Sequence, residues 1–342
     1  MRNHEVTNNQ PLLDAEGELR EPGWSRHLVQ QYDRKAIKAP KWRIKEWDYY
    51  LILGKDFGAA FTISDDGYIG LQSVSLLKNL SGTNSHEHTE TVLNAFPMGR
   101  LMLPSDSSNG DTIYEDKRLQ LRFEITSGKR HITCHFENFC NGKPLFADIT
   151  LEQPPMETMV IATPWDKKHA FYYNQKMNGM RASGTISFDG ETYTFDPKTD
   201  FGTLDWGRGV WTYDNTWYWG SGNTDLDGHH FGWNIGYGFG NTTAASENVL
   251  FYDGKVHKLD DITFHIPETG YMDPWKFTSS DGRFEMDFVP VLDRAANMDF
   301  KLIASDQHQV FGRMSGTAIL DDGTPIHIKD VLCFAEKVHN KY

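Results

Sequence analysis

Apolar and polar residues alternate with period two along most of the chain, which places one set of side chains on each face of a strand. Thr185-Ile186-Ser187-Phe188 and Tyr193-Thr194-Phe195 alternate on either side of Asp189-Gly190. Phe284-Glu285-Met286-Asp287-Phe288-Val289 alternates after Asp281-Gly282, and Ala318-Ile319-Leu320 and Pro325-Ile326-His327-Ile328 flank Asp322-Gly323. Further Asp-Gly pairs at 66–67, 227–228 and 253–254, and Asn-Gly pairs at 109–110, 141–142 and 178–179, accept the positive φ angles of tight hairpins. Phe171-Tyr172-Tyr173 reads as a core strand. Helical periodicity is confined to His27–Lys38 (HLVQQYDRKAIK), where one short helix is expected. The pattern predicts an all-β protein of many short strands, too long for one eight-stranded barrel, with few short helices. Asn178-Gly179 and Ser183-Gly184 suggest a boundary near 179–184.

Composition narrows the partners. The 342 residues are 39% hydrophobic, enough for a packed core, and no run of about 18 apolar residues could form a membrane-spanning helix. A net charge of −13 without a lysine or arginine cluster argues against nucleic acid and against an anionic membrane surface. Three cysteines, Cys134, Cys140 and Cys333, lie in no C-x-x-C spacing, so neither a disulfide framework nor a zinc finger is expected. Met1–Gln10 has no apolar core of a secretory signal, and with the sparse cysteines the expected location is cytoplasmic.

Residues 202–240 stand apart. They hold Trp206, Trp211, Trp217, Trp219 and Trp233, half of the ten tryptophans, together with ten glycines. Trp217 and Trp219 fall on one strand face; Trp233, Ile235, Tyr237 and Phe239 share another, opposite Asn234 and Gly236, Gly238 and Gly240. Glycines along one face leave space for a ring, a bend or a ligand. Asp205, Arg208 and Asn234 lie within this stretch, and Glu247 and Asn248 follow it. Two explanations fit. Tryptophan and glycine serve a strongly curved barrel, and Asp205 and Arg208 pair across a turn for architectural reasons. Alternatively, the aromatic residues wall a pocket and the acids face into it.

Several separated motifs resemble the domain-of-unknown-function family 2804. They are Phe201-Gly202-Thr203-Leu204-Asp205-Trp206-Gly207-Arg208-Gly209-Val210-Trp211, Gly23-Trp24-Ser25-Arg26, the run Lys41–Tyr50 (KWRIKEWDYY), Pro164-Trp165 and Ser246-Glu247-Asn248-Val249-Leu250. The likeness runs from Pro11 to the end and implies no particular activity. More distantly, the Asp-Trp-Gly element followed by a Trp-x-Trp strand is similar to lipocalin-like double-barrel proteins of the hydroxyneurosporene synthase and AttH type. That resemblance implies two packed antiparallel calycin-type barrels: an N-terminal extension over 1–24, one barrel over 25–180 and another over 181–342. It also implies a hydrophobic, lipid- or isoprenoid-like substrate and acid-catalysed hydration, cyclisation or isomerisation.

Other motifs carry less. His86, His88 and Glu90 would share a strand face and could bind a metal, but they follow the loop-like Asn79–Ser85 and are expected to be solvated, with no metal. Gly236-x-Gly238-x-Gly240 lacks the third glycine of a dinucleotide fingerprint, since position 241 is Asn, so no cofactor is expected. His229-His230 is expected exposed at a hairpin tip.

The chemistry expected first is proton transfer in an aromatic pocket. Desolvation raises a carboxyl pKa and lets it act as an acid near neutrality. Asp205 is the first candidate acid and Glu247 the second, with Arg208 countering charge. Asn234 and Asn248 would hold polar groups, and Trp206, Trp211, Trp217, Trp219, Trp233 and Tyr237 would line the pocket. A glycosidase using the Asp205–Glu247 pair is one alternative. A non-catalytic carrier of a hydrophobic ligand is the other; acids facing only backbone or arginine would favour it.

Overall fold

The computed structural model describes residues 2–299 and 304–341. Strands account for nearly all of its regular structure. The first are β1 (Gln10–Pro11), β2 (Gly23–Ser25), β3 (Gln30–Gln31), β4 (Ile44–Leu53), β5 (Phe57–Asp65), β6 (Ile69–Lys78) and β7 (His86–Ala95). Next come β8 (Thr112–Glu115), β9 (Leu119–Thr126), β10 (Lys129–Cys140), β11 (Lys143–Glu152), β12 (Met159–Pro164), β13 (Phe171–Phe188), β14 (Glu191–Phe195) and β15 (Phe201–Val210). The last are β16 (Asp214–Leu226), β17 (His229–Tyr237), β18 (Val249–Tyr252), β19 (Lys255–Lys258), β20 (Ile262–His265), β21 (Trp275–Ser279), β22 (Phe284–Asp299), β23 (Ala304–Ile319) and β24 (Pro325–Lys341).

Two large antiparallel sheets result. Sheet one runs β7-β6-β5-β4-β15-β13-β11-β10-β9-β8, with β12 and β14 also paired to β13. Sheet two runs β19-β18-β17-β16-β24-β23-β22-β21-β20. Each curls on itself: β7 comes against β10 in the first, and β17 against β20 in the second. The hairpins use the expected chemistry. Asp189, Asp227, Asp253 and Asn141 take φ of 46–55°, each followed by a glycine at 74–92°, the backbone of a two-residue primed turn.

Three sequence expectations change. His27–Lys38 is not a helix; it contains β3 and a single 3-10 turn, Arg34–Ala36. Asn178-Gly179 does not break the chain either. It is a bulge inside the 18-residue β13, where the register with β15 shifts between Met177 and Met180. The change of sheet comes at Val210–Asp214, some thirty residues after the expected division at 180/181. Finally, His86–Glu90 belongs to β7 rather than a loop.

The curled sheets are filled by their own side chains. Phe61, Phe123, Phe136, Tyr50 and Trp206 pack inside sheet one. Trp233, Phe277, Phe284 and Phe288 pack inside sheet two. A third cluster, including Tyr49, Leu51, Tyr172, Trp211, Trp219, Phe311 and Phe334, joins the outer face of one sheet to that of the other. The interior of each curl is therefore solid, and open space lies between the sheets.

Candidate active site between the two sheets

Period two on β15 decides which residues reach that space. Leu204, Trp206 and Val210 point into the core of sheet one. Asp205 and Trp211 point the other way and line an inter-sheet cavity of about 510 Å³. Asp205 and Arg208, three apart on a strand, hence lie on opposite faces and do not pair. Arg208 is fully buried inside sheet one, where Nη1 donates to Asp48 Oδ1 at 3.0 Å and to the Trp47 carbonyl at 2.8 Å, and Nη2 to the Pro104 carbonyl at 2.7 Å. Its guanidinium covers the Trp206 ring at 4.2 Å.

Two cross-strand rows face each other across the cavity. On sheet one, Lys176, Asp205 and Tyr49 are register partners on β13, β15 and β4. On sheet two, Trp219, Glu336, Gln309 and Arg294 are partners on β16, β24, β23 and β22. Lys176 Nζ, 2.9 Å from Asp205 Oδ1, also sits 3.8 Å from the centre of the Trp219 ring. Asn174 Nδ2 donates to the same Asp205 oxygen at 2.6 Å. Glu336 accepts from Trp217 Nε1 at 3.1 Å and from Gln309 Nε2 at 2.9 Å. Burial pushes its carboxyl up to about 7, against the pull of those two hydrogen bonds and of Lys176.

Aromatic rings form one wall. Tyr172 stacks on Phe239 at 4.7 Å and on Trp47 at 6.4 Å; Trp211 stands edge-on to Tyr172, Trp47 and Trp217 at 5.2–5.9 Å. Glycine makes this packing possible. Gly207 lies between Asn174 and Trp47 in the register, and a Cβ there would run into the Trp47 ring. Gly236 similarly leaves room for the Glu247 carboxylate.

The residues named from the sequence divide into groups. Asp205, Trp211, Trp217 and Trp219 line the cavity. Glu247 lies behind the wall, completely buried, with Oε2 accepting from Tyr172 OH at 3.3 Å and Oε1 without a partner among the described residues. Burial raises it to about 7, with Asp205 adding to the shift and Lys176 opposing it. Asn234 braces this region, accepting from Trp219 Nε1 at 2.7 Å and donating to the Glu247 carbonyl at 3.0 Å. Asn248 holds backbone, accepting from Gly236 N at 2.7 Å and donating to the Asp260 carbonyl. Trp206 and Arg208 belong to the interior of sheet one, Trp233 and Tyr237 to that of sheet two.

Glu336, Lys176, Gln309, Tyr49 and Tyr172 escaped the sequence reading. The signal for Glu336 was present: Leu332, Phe334, Glu336 and Val338 alternate on one face, so a carboxylate sits in an apolar stripe. His86 and His88 stand edge-on at 5.3 Å, but Glu90 pairs with Arg118, and no metal-binding cluster of three or more ligands occurs among the described residues. His229 is exposed and pairs with Asp253, whereas the His230 ring is packed against Gly179 and burial lowers it to about 4. No described helix is long and apolar enough to cross a membrane.

Comparison with known proteins gives a family. The model of the family described as a domain of unknown function, DUF2804, matches residues 3–342. No curated protein matches the chain. Among solved structures, one assigned as an AttH protein from Nitrosomonas europaea is similar at 12% identity and a TM-score of 0.47, covering 87% of this chain and 92% of that one. Kievitone hydratase from Nectria haematococca is similar at 12% identity and a TM-score of 0.45, covering 87% and 88%.

Proposed function

The chain belongs to the DUF2804 family, whose description assigns no activity, and we propose that this member carries out acid–base chemistry on a small apolar substrate held between its two sheets. The reaction class is addition or removal of water, or migration of a double bond. One observation carries the reading. Glu336, a buried carboxyl that keeps its proton to about pH 7, lines an aromatic cavity across from the Lys176–Asp205 pair.

The roles follow from the donors around each group. Asp205 Oδ1 already receives Lys176 and Asn174, so we assign Asp205 the part of an acceptor rather than that of the proton donor first expected of it. Its Oδ2 has no hydrogen-bonding partner among the described residues and is available to a water or a substrate hydroxyl. Glu336 is the acid. In hydration it gives its proton to one carbon of a double bond, and the π electrons form the new C–H bond. Water adds to the other carbon and releases a proton toward Asp205. Positive charge on that carbon is faced by Tyr172 and Trp217, an attraction of about 2 kcal/mol in a desolvated site. The Trp219 face is already taken by Lys176.

A glycosidase built on Asp205 and Glu247 needs both carboxyls against one sugar, and Glu247 stands behind Tyr172. The carrier reading predicts acids turned only toward backbone or arginine, whereas Glu336 and Asp205 both line the cavity.

The test begins with mass spectrometry of small molecules that co-purify with the protein. These, and a panel of isoprenoid alkenes, are then incubated with it in ¹⁸O-water and in deuterated water. Labelled oxygen in the product marks hydration; deuterium on carbon without added oxygen marks isomerisation. Glu336→Gln and Asp205→Asn should abolish the label while the circular dichroism spectrum is kept. A bound compound that wild-type protein never labels would leave the carrier reading standing. If Asp205→Asn does not fold, that residue is architectural.

A further inference from the structure

The row that contains Asp205 does not stop at Tyr49. It continues through Thr62 on β5, Ser73 on β6 and Thr91 on β7, each the register partner of the one before, and all three line the same cavity. Strands lie about 4.8 Å apart, so Thr62 is about 10 Å and Thr91 about 19 Å from Asp205 along the sheet. Four hydroxyls in a row form a polar floor leading away from the proposed acid and base. The Thr62 hydroxyl has no partner among the described residues, and Ser73 Oγ accepts from Thr91 at 3.1 Å, which leaves its own proton to donate.

Both cations that line this end of the cavity are engaged within the protein. Arg294 pairs with Glu87 at 3.1 Å and donates to Gln309 at 3.0 Å. Lys45 donates to the Asp66 carbonyl at 2.6 Å and covers the Tyr68 ring at 4.2 Å. An anionic head would find only engaged cations there, whereas a neutral hydroxyl would meet donors and acceptors of its own kind.

We propose that the ligand is a neutral amphiphile, with an apolar body against the Tyr172–Trp217 wall and a hydroxyl-bearing end on the Tyr49–Thr62–Ser73–Thr91 row. This rests on the cavity being the working site and adds the polarity and placement of the far end of its substrate.

Three probes of one chain length separate the possibilities: farnesene, farnesol and farnesoic acid. Binding is read from the emission of the cavity tryptophans, of which Trp219 stands edge-on to Tyr49 of the row at 6.0 Å. The expected order is farnesol tightest, with the acid and the hydrocarbon weaker. The isosteric double substitution Thr62→Val with Thr91→Val should weaken farnesol about tenfold and leave farnesene unchanged. Thr62→Val alone, with about a threefold loss, serves if the double variant does not fold. Equal binding of farnesol and farnesene, or an equal loss for both in the variant, overturns the hydroxyl assignment while leaving the apolar site intact. Tightest binding by farnesoic acid overturns the neutral head. If none of the three binds, this inference and the reading of an apolar substrate fall together.

Discussion

Replacing Glu336 by glutamine tests the acid without any knowledge of the substrate. The carboxyl has an ordinary value of 4.5 and is pushed up to about 7 by burial between β23 and β16. Below pH 4.5 the folded and unfolded chains both hold the proton, and Glu336 adds no pH dependence. Between 4.5 and 7 the unfolded chain releases it while the folded chain keeps it, so folding loses stability as pH rises. Above 7 the loss is complete, at about 3 kcal/mol from 1.36 kcal/mol per pH unit of displacement. Glutamine does not titrate and escapes this loss. It brings a cost of its own, because one of the two donors, Trp217 Nε1 or Gln309 Nε2, then faces an amide NH₂; about 1 kcal/mol is the expected size. The variant should thus match wild type near pH 5, where the linkage loss of about 0.8 kcal/mol nearly cancels the amide's cost, and be more stable by about 2 kcal/mol at pH 8. Urea unfolding of both proteins at pH 5, 6.5 and 8 measures the crossing. Glu247 titrates over the same range, but it is present in both chains and cancels in the difference. A difference in stability that does not change with pH would mean that Glu336 is not protonated in the folded protein, and the proposed acid would be lost.

The other side of the cavity responds differently. Lys176→Met leaves Asp205 buried without its ammonium and should cost about 3–5 kcal/mol in urea unfolding, most of it recovered when Asp205→Asn is added. Recovery distinguishes a broken charge pair from lost packing of the lysine stem, which the second substitution would not restore. Gly207→Ala drives a methyl into the Trp47 ring and should destabilise by about 1–3 kcal/mol, with a changed near-ultraviolet circular dichroism spectrum as Trp47 leaves Tyr172. An unchanged spectrum would show that the aromatic wall does not depend on that glycine.

The strands were legible because alternation and Asp-Gly or Asn-Gly turns are local signals, and local signals fix hairpins. Which curl a strand joins is not local. Asn178-Gly179 has the composition of a turn but lies mid-strand, because β13 is long enough to pair with β11 at one end and β12 at the other, both sides meeting at the bulge. The site shows the same division. Period two placed Trp217 and Trp219 on one face, and the cavity carries both. Arg208 was drawn toward Asp205 by nearness in sequence, yet its partner is Asp48, 160 residues away, and a spacing of three on a strand should have separated the two. Glu336 and Lys176 were missed for a related reason. Each is the one buried charge of its strand, and neither sits in the tryptophan- and glycine-rich stretch that drew attention.

That stretch is dense because it lies where the sheets change over. β15 closes sheet one against β4, and β16 opens sheet two against β24, so residues 201–226 supply a wall to each side of one cavity. The proposed acid on β24 and acceptor on β15 thus stand on opposite sides of one cavity, an arrangement neither curl could offer within its own filled interior. Polar contacts cross between the two rows as well. Lys176 on Trp219 and Gln309 toward Tyr49 at 3.4 Å tie the two rows together. These ties set the separation of Glu336 from Asp205 more directly than the packing of either core does. The geometry of the proposed site is a property of how the sheets dock. Substitutions at Gln309 or Trp219 should therefore disturb the site while leaving each sheet's own core in place.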